Sequence, residues 1–377
     1  MPTRMNLESP PPGEYIRREL AKRGWSQLDL ADILGRPTQV VNELIAAKRS
    51  VTPETARGLG DAFGNSAQVW LSLEAAYQLS RVTMRDDDAV SRRAKLYGVA
   101  PIKDMQRREW IATTTNVDVL EGQLCSFFEV KSLDDPIHFD HAARKSTNGD
   151  PTPAQRAWLY QARRLARGVP VTGKFSIAAL NEALAQLTRL KRDPEEIRHV
   201  SRVLAEAGIR FLILEPLPHT KIDGVCFWLD DNSPVVVLSI RYDRIDWFWH
   251  TLMHELGHVK NGDGKQRTML DTDLVGVDAQ PFEGKPEVEK QADRFAVNFL
   301  VDQAKLDNFI ARVHPLYSKL KISAFANKVG VHPGIVVGQL QFRKKITYAH
   351  SRDLLVKVRN IIIAVALTDG WGSTVSS

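Results

Sequence analysis

Apolar positions in this chain recur with two different periods, and the change between them divides the sequence. From residue 14 to about 79 the segments are short and amphipathic. Ser26 precedes Gln27, Leu28 and Asp29, which is the order of a helix cap with a reciprocal acid three residues on. Leu28, Ala31 and Leu34 then recur at helical spacing, and Gly35 ends the segment where a left-handed residue is wanted. Pro37 opens a second helix with Val41, Leu44 and Ile45 on its inner face, and Thr52 with Pro53 opens a third. Two short helices joined by a three-residue turn containing glycine predict a helix-turn-helix.

Residues 80 to about 170 read as charged and helical, with a loop rich in Ser, Asn, Gly and Pro at 146–153. Beyond 171 the period changes. Residues 210–217, 224–229 and 234–240 are β-branched or aromatic and are bounded by Pro, Asp and Asn, so they predict strands. Helical spacing returns at 247–260 and again at about 286–300. The expected class is α+β: an all-α N-terminal domain at 1–80, a helical linker at 81–154, and a domain with a small sheet and packed helices at 155–345. A tail follows at 346–377.

Composition narrows the possibilities. The 377 residues are 43% hydrophobic and 25% charged, which excludes wholesale disorder. No apolar run approaches the roughly 18 residues that cross a bilayer, and the polar, Pro-rich segment 1–15 lacks the apolar core of a secretory signal. Two cysteines, Cys125 and Cys226, cannot build a disulfide framework. The expectation is a cytoplasmic protein with no membrane partner. A net charge of +6 permits an anionic partner without requiring one. Residues 1–80 carry nine basic and nine acidic side chains, so no bulk field draws that domain to DNA.

Local chemistry is more specific. The second helix of the helix-turn-helix leaves Thr38, Gln39, Asn42 and Glu43 outward. Gln and Asn can bond an adenine edge at two points, and Lys48 and Arg49 follow where they can hold phosphate.

In the C-terminal half, His254, Glu255 and His258 read H-E-x-x-H. Residues four apart on a helix share one face, so the two imidazoles can clamp a zinc ion. Glu255, about 100° round the helix, can act as general base on a water in the open position. A third ligand is required. The metzincin positions hold Asn261 and Gly264, which excludes that class. On the 286–300 helix, Glu289 shares a stripe with Ala292, Asp293 and Ala296 that faces the core. A carboxylate facing inward is costly unless paired or bound to metal. Glu289 is therefore the expected third ligand, with Asp293 accepting the free ring N–H of a zinc-bound histidine. Glu283, Glu287, Asp271, Asp273 and Asp278 are weaker competitors on sequence without periodicity. Tyr317, His314 and His332 are further polar groups that could face the reaction, though each reads more simply as structural. Trp247, Phe248 and Trp249 read as packing at a helix start.

The stretch from Pro11 to Leu79, with Ser26, Gln27, Leu30 and Ala31, the KRSVTPETA segment and the trailing Trp70, Leu71 and Leu73, resembles the HigA-type antitoxins of the Xre/Cro helix-turn-helix superfamily. That resemblance implies a five-helix domain, usually dimeric, on a palindromic double-stranded operator. Its contacts would be Gln27, Thr38, Gln39, Asn42, Lys48 and Arg49. HTLMHELGHVKNGDG followed by EKQADRFAVNFLV looks like the ImmA/IrrE zinc metallopeptidases, and the likeness spans about 155–345. It implies a gluzincin-like domain with zinc on His254, His258 and Glu289 and Glu255 as base. Members of that family cut a cognate repressor under stress. Asp293 departs from the family's usual Asn, and Gln291 from a usual acid. The function expected is a DNA-binding transcriptional regulator with a zinc endopeptidase domain that cleaves a repressor or antitoxin-type protein. The alternative is a HigA-like antitoxin, holding a cognate toxin, whose zinc domain only senses or scaffolds.

Overall fold

The structure is a computed structural model that describes residues 9–81, 85–137, 139, 144–145, 150–265, 268–275 and 284–369. The chain forms two compact units, divided between Arg92 and Arg93.

The first unit is helical: Pro12–Arg23, Gln27–Leu34, Thr38–Ile45, Pro53–Phe63 and Ala67–Arg81. Ser26 and Asp29 form the expected capping box, with Ser26 Oγ accepting from Asp29 N at 3.1 Å and Asp29 Oδ2 accepting from Ser26 N at 2.7 Å. Gly35 takes φ 60°, the left-handed conformation that ends the helix. Ile16, Leu30, Val41, Leu44, Leu59, Phe63 and Trp70 are among the residues that fill the core. The inner face of Thr38–Ile45 is as expected. That of Gln27–Leu34 is not: Leu28 is 57% exposed, while Leu30 and Ala31 are buried. In an eight-residue helix holding three leucines, the neighbours decide which one is covered, and here the helix packs mainly on Thr38–Ile45 and Pro53–Phe63.

The second unit is built on a five-stranded sheet of β1 (Arg144–Lys145), β2 (Arg210–Ile213), β3 (Ile222–Trp228), β4 (Pro234–Leu238) and β5 (Met269–Thr272). Their spatial order is β1-β5-β3-β4-β2. β3 runs antiparallel to both β4 and β5, whereas β2–β4 and β1–β5 are parallel. Every residue of β3 and β4 is buried, which accounts for the unbroken apolar run of β4 in place of strict alternation.

β2 and β4 match the expected segments with their C-terminal ends trimmed, β3 begins two residues before its expected start and ends one residue early, and β5 falls on sequence that predicted none. β4 leads through a short turn into the helix Ile245–Asn261, two residues longer at its start than its spacing predicts. This helix packs on β3 and against Glu287–Leu300 and Pro333–Phe342. A β-carbon added at Gly257 would sit 3.2 Å from Ala292 Cα, so the first two helices touch backbone to backbone. Lys191 fixes the far end of Glu287–Leu300: its ammonium donates to the carbonyls of Phe299 and Leu300, where the helix dipole favours a cation.

Candidate metal centre

His254 and His258 sit one turn apart on the buried face of Ile245–Asn261, and both are fully covered. Their rings are oriented from behind. His254 Nδ1 lies 2.9 Å from Asp293 Oδ1, as expected, and His258 Nδ1 lies 3.1 Å from Asp263 Oδ2. Both rings therefore turn Nε2 toward one point, and these two atoms are 3.1 Å apart. Glu289, buried on the neighbouring helix, brings Oε2 to 3.2 Å from His254 Nε2 and 3.6 Å from His258 Nε2. Asp271 Oδ2, from β5, lies 3.5 and 3.7 Å from the same nitrogens.

These separations bear on whether a metal fits. Four donors around zinc at about 2.0–2.1 Å stand about 3.3–3.4 Å apart along the edges of a tetrahedron. The five edges above scatter around that value. The electrostatics agree. Burial disfavours a charged His254, yet Asp271, Asp293 and Glu289 outweigh it and hold a proton on the ring far above the usual range. Against the cost of burial, hydrogen bonds with His254 and His258 keep the Glu289 carboxyl far below its usual range. The cluster thus favours positive charge at its centre, which a divalent cation would supply.

Glu255 faces β3. Burial first, then the charge of Asp271, push its carboxyl well above the ordinary value. Neither of its oxygens is offered a protein N–H, and the Asp271 carboxyl stands beside it. A β-carbon at Gly224 would stand 2.2 Å from Glu255 Oε1, so only glycine on β3 leaves room for this side chain.

His254, Glu255, His258, Glu289 and Asp293 are thus brought together. The other acids divide. Asp271, a weaker competitor on sequence without periodicity, stands within the cluster. Asp273 pairs with Arg241 and Lys221, Glu287 is exposed and pairs with Arg294, and Asp278 and Glu283 lie outside the described residues. Asp263 was not foreseen. Its only signal is a polar side chain just past Gly262, whose φ of 74° turns the chain back on the helix. Lys285 holds Asp293 from its other side at 2.7 Å. His332 Nδ1 accepts from Gly334 N and caps a helix, while Tyr317 is buried against Phe309. Phe248 and Trp249 are core residues, and Trp247 lines a separate cavity with His250 and Phe342.

In the N-terminal unit, Gln39 and Asn42 are exposed on Thr38–Ile45, Gln27 is exposed at the start of the preceding helix, and Thr38 is half-buried. Lys48 and Arg49 are exposed just beyond. Glu43 lies among them, accepting from Gln39 Nε2 at 3.1 Å and from Arg49 Nε at 2.8 Å.

Comparison with known proteins addresses both halves. The family model of the IrrE N-terminal-like domain, in the M78 peptidase family, matches residues 205–340, which contain the whole cluster. Three virulence-associated proteins of Dichelobacter nodosus share sequence with this chain. Protein I is 39% identical over 69 residues, 18% of this chain and 64% of its own length. Protein A is 36% identical over 87 residues, 22% of this chain and 85% of its own length, and protein A' is 34% identical over 86 residues. Among solved structures, a HigA-family addiction-module antidote protein from Coxiella burnetii is 29% identical, covering 23% of this chain and 95% of its own, at a TM-score of 0.22. The antitoxin HigA of Pseudomonas aeruginosa, solved with the higBA promoter, is 29% identical, covering 22% of this chain and 90% of its own, at a TM-score of 0.21. The chain belongs, through its N-terminal unit, to the family of virulence-associated protein A, and through residues 205–340 it carries an IrrE-like domain of the M78 peptidase family.

Proposed function

We propose that this chain is a transcriptional regulator that reads DNA with its helix-turn-helix and hydrolyses a peptide bond with its IrrE-like domain. The observation that carries the enzymatic half is the convergence of His254, His258 and Glu289 beside Glu255, whose buried carboxylate is offered no protein N–H. These three side chains would hold a zinc ion, which would supply a Lewis acid for the scissile carbonyl and lower the pKa of a water toward about 7. The residues do the rest. Asp293 and Asp263 keep both rings in one tautomer, with Nε2 inward. Glu255, with its proton affinity raised by burial, takes the proton of the attacking water and returns it to the leaving amine. The substrate class is a protein, a repressor or antitoxin of the kind the N-terminal unit resembles.

The DNA-binding half rests on Gln39 and Asn42, exposed on the second helix of the motif, with Lys48 and Arg49 beside them as phosphate contacts. A homodimer on a palindromic operator suits a single short reading helix per chain.

A second reading, a HigA-like repressor that holds a toxin while its zinc domain only senses, is favoured by one feature: Asp271 adds a fourth protein group where a peptidase needs solvent. Metal analysis beside Glu289→Ala, with proteolysis of the co-expressed partner by wild type and Glu255→Gln, separates the two. Metal lost in Glu289→Ala and cleavage lost in Glu255→Gln support the peptidase. Metal retained in Glu255→Gln, with wild type and Glu255→Gln regulating transcription identically, supports the sensor.

A further inference from the structure

The first reading leaves Asp271 without a task. Its strand gives it a direction: Asp271 pairs with Gly224 across β3 and β5. Paired residues of antiparallel strands project to the same face. Gly224 is the position whose missing side chain makes room for Glu255. Asp271 is thereby aimed at the helix that carries both histidines. Its side chain is 2% exposed, and Oδ2 is offered no backbone N–H, its near neighbours being the Glu255 carboxyl and the His254 ring. A carboxylate buried so completely without a donor is expensive. No N–H of β3 or of the two helices is offered to that oxygen. The distances of 3.5 and 3.7 Å to the ring nitrogens are long for hydrogen bonds. They are right for two ligands of one ion.

Asp223 fixes the strand's exit. It accepts from Leu274 N at 2.7 Å while Arg241 grips it at 3.0 and 3.1 Å. Arg241 also reaches Asp273 at 3.2 Å. β5 is therefore held beside the cluster by a buried ion pair.

We infer that Asp271 is the fourth protein ligand of the metal, closing the corner that hydrolysis requires open, so that the domain is latent until Asp271 is displaced. This rests on the zinc-peptidase reading and makes the enzyme one that must be opened. Closed four-coordinate sites of protein ligands are the structural kind, and catalytic sites keep one position for solvent. Here one short strand separates the two. Any event that draws β5 away, such as a substrate strand displacing the two-residue β1 from its outer edge, would exchange carboxylate for water.

The full-length protein loaded with cobalt(II) provides the test, because d–d band intensity reports coordination number. Wild type should give the strong bands of a four-coordinate ion, unchanged by acetohydroxamate. Asp271→Asn should admit solvent, bind acetohydroxamate with a change to the weaker bands of a five-coordinate ion, and lower zinc affinity by on the order of 100-fold, as loss of a direct ligand should exceed loss of an outer partner. A wild-type spectrum that is already five-coordinate, or that shifts on adding acetohydroxamate, overturns the inference without needing any variant to fold. So does an Asp271→Asn protein with unchanged spectrum and affinity, which would make Asp271 an acid that positions water. Failure of the underlying reading looks different: wild type would take up no cobalt or zinc at all.

Discussion

Valine at position 257 should push the two helices of the metal centre apart. A β-carbon there meets Ala292 Cα and Phe295 Cδ1, each at 3.2 Å, and Ala292 Cβ at 3.5 Å. Alanine is thus slightly tight, and its gain of about 1 kcal/mol in helix propensity over glycine offsets the squeeze. Valine adds two carbons that reach about 1.5 Å further, into atoms of another backbone that cannot rotate aside. The helices must separate by on the order of 1 Å, and overpacking of this kind costs about 1–3 kcal/mol. Glu289 lies one turn from Ala292, and His258 is the next residue after Gly257, so the same opening lengthens the path between ligands. Metal sites tolerate roughly 0.2 Å. Zinc affinity should therefore fall by at least the 10–100-fold seen on losing an outer partner. Urea unfolding with and without chelator gives the first quantity, and competition with a chromophoric chelator gives the second. The expected order is wild type close to Gly257→Ala, with Gly257→Val well below both. If valine leaves stability and zinc affinity unchanged, the close approach of the two helices is not what sets the site.

In the opened Asp271→Asn protein, Gly224→Ala should displace the Glu255 carboxylate by about 1 Å, lowering the rate of peptide cleavage on the order of 100-fold; metal content should stay at the level of Asp271→Asn alone, and unchanged cleavage would remove Glu255 from the role of base. Burial pushes the Lys191 ammonium from its ordinary 10.5 down to about 8. Between these values the unfolded chain binds more protons than the folded one, so this residue's contribution to stability rises with pH across that window. Urea midpoints from pH 7.5 to 10.5 should climb in wild type relative to Lys191→Met, and parallel curves would contradict this. Glu43→Gln frees Gln39 and Arg49 from an acid and removes one negative charge from the reading surface. Duplex DNA should bind more tightly in fluorescence anisotropy, with a steeper salt dependence; equal affinity at every salt concentration would mean that surface does not meet DNA. Gln39→Ala with Asn42→Ala should lose operator preference and keep only weak, salt-sensitive binding.

The parts of the site that lie on long helices were legible because a helix repeats its face. His254 and His258, four residues apart, and Glu289 with Ala292, Asp293 and Ala296 could be placed without knowing what they pack against. Asp271 could not. Its strand is four residues long, stands in no local pattern, and exists because β3 pairs with it from nearly fifty residues earlier. Asp263 depends on a single turn at Gly262 that points a side chain back at His258. Leu28 and Leu30 show the same limit at smaller scale. Both suit a helix, and the covering neighbours, not the spacing, determine which one is buried.

The notch that Gly224 leaves in the sheet also reads in reverse. A side chain there and a glutamate at 255 compete for the same volume, so a related chain could lose its base and then refill the space at no cost. A bulky residue at this position, found beside an intact histidine pair, would mark a descendant that keeps the ion and has given up hydrolysis. One residue on a strand would then sort working members from retired ones before any assay is run.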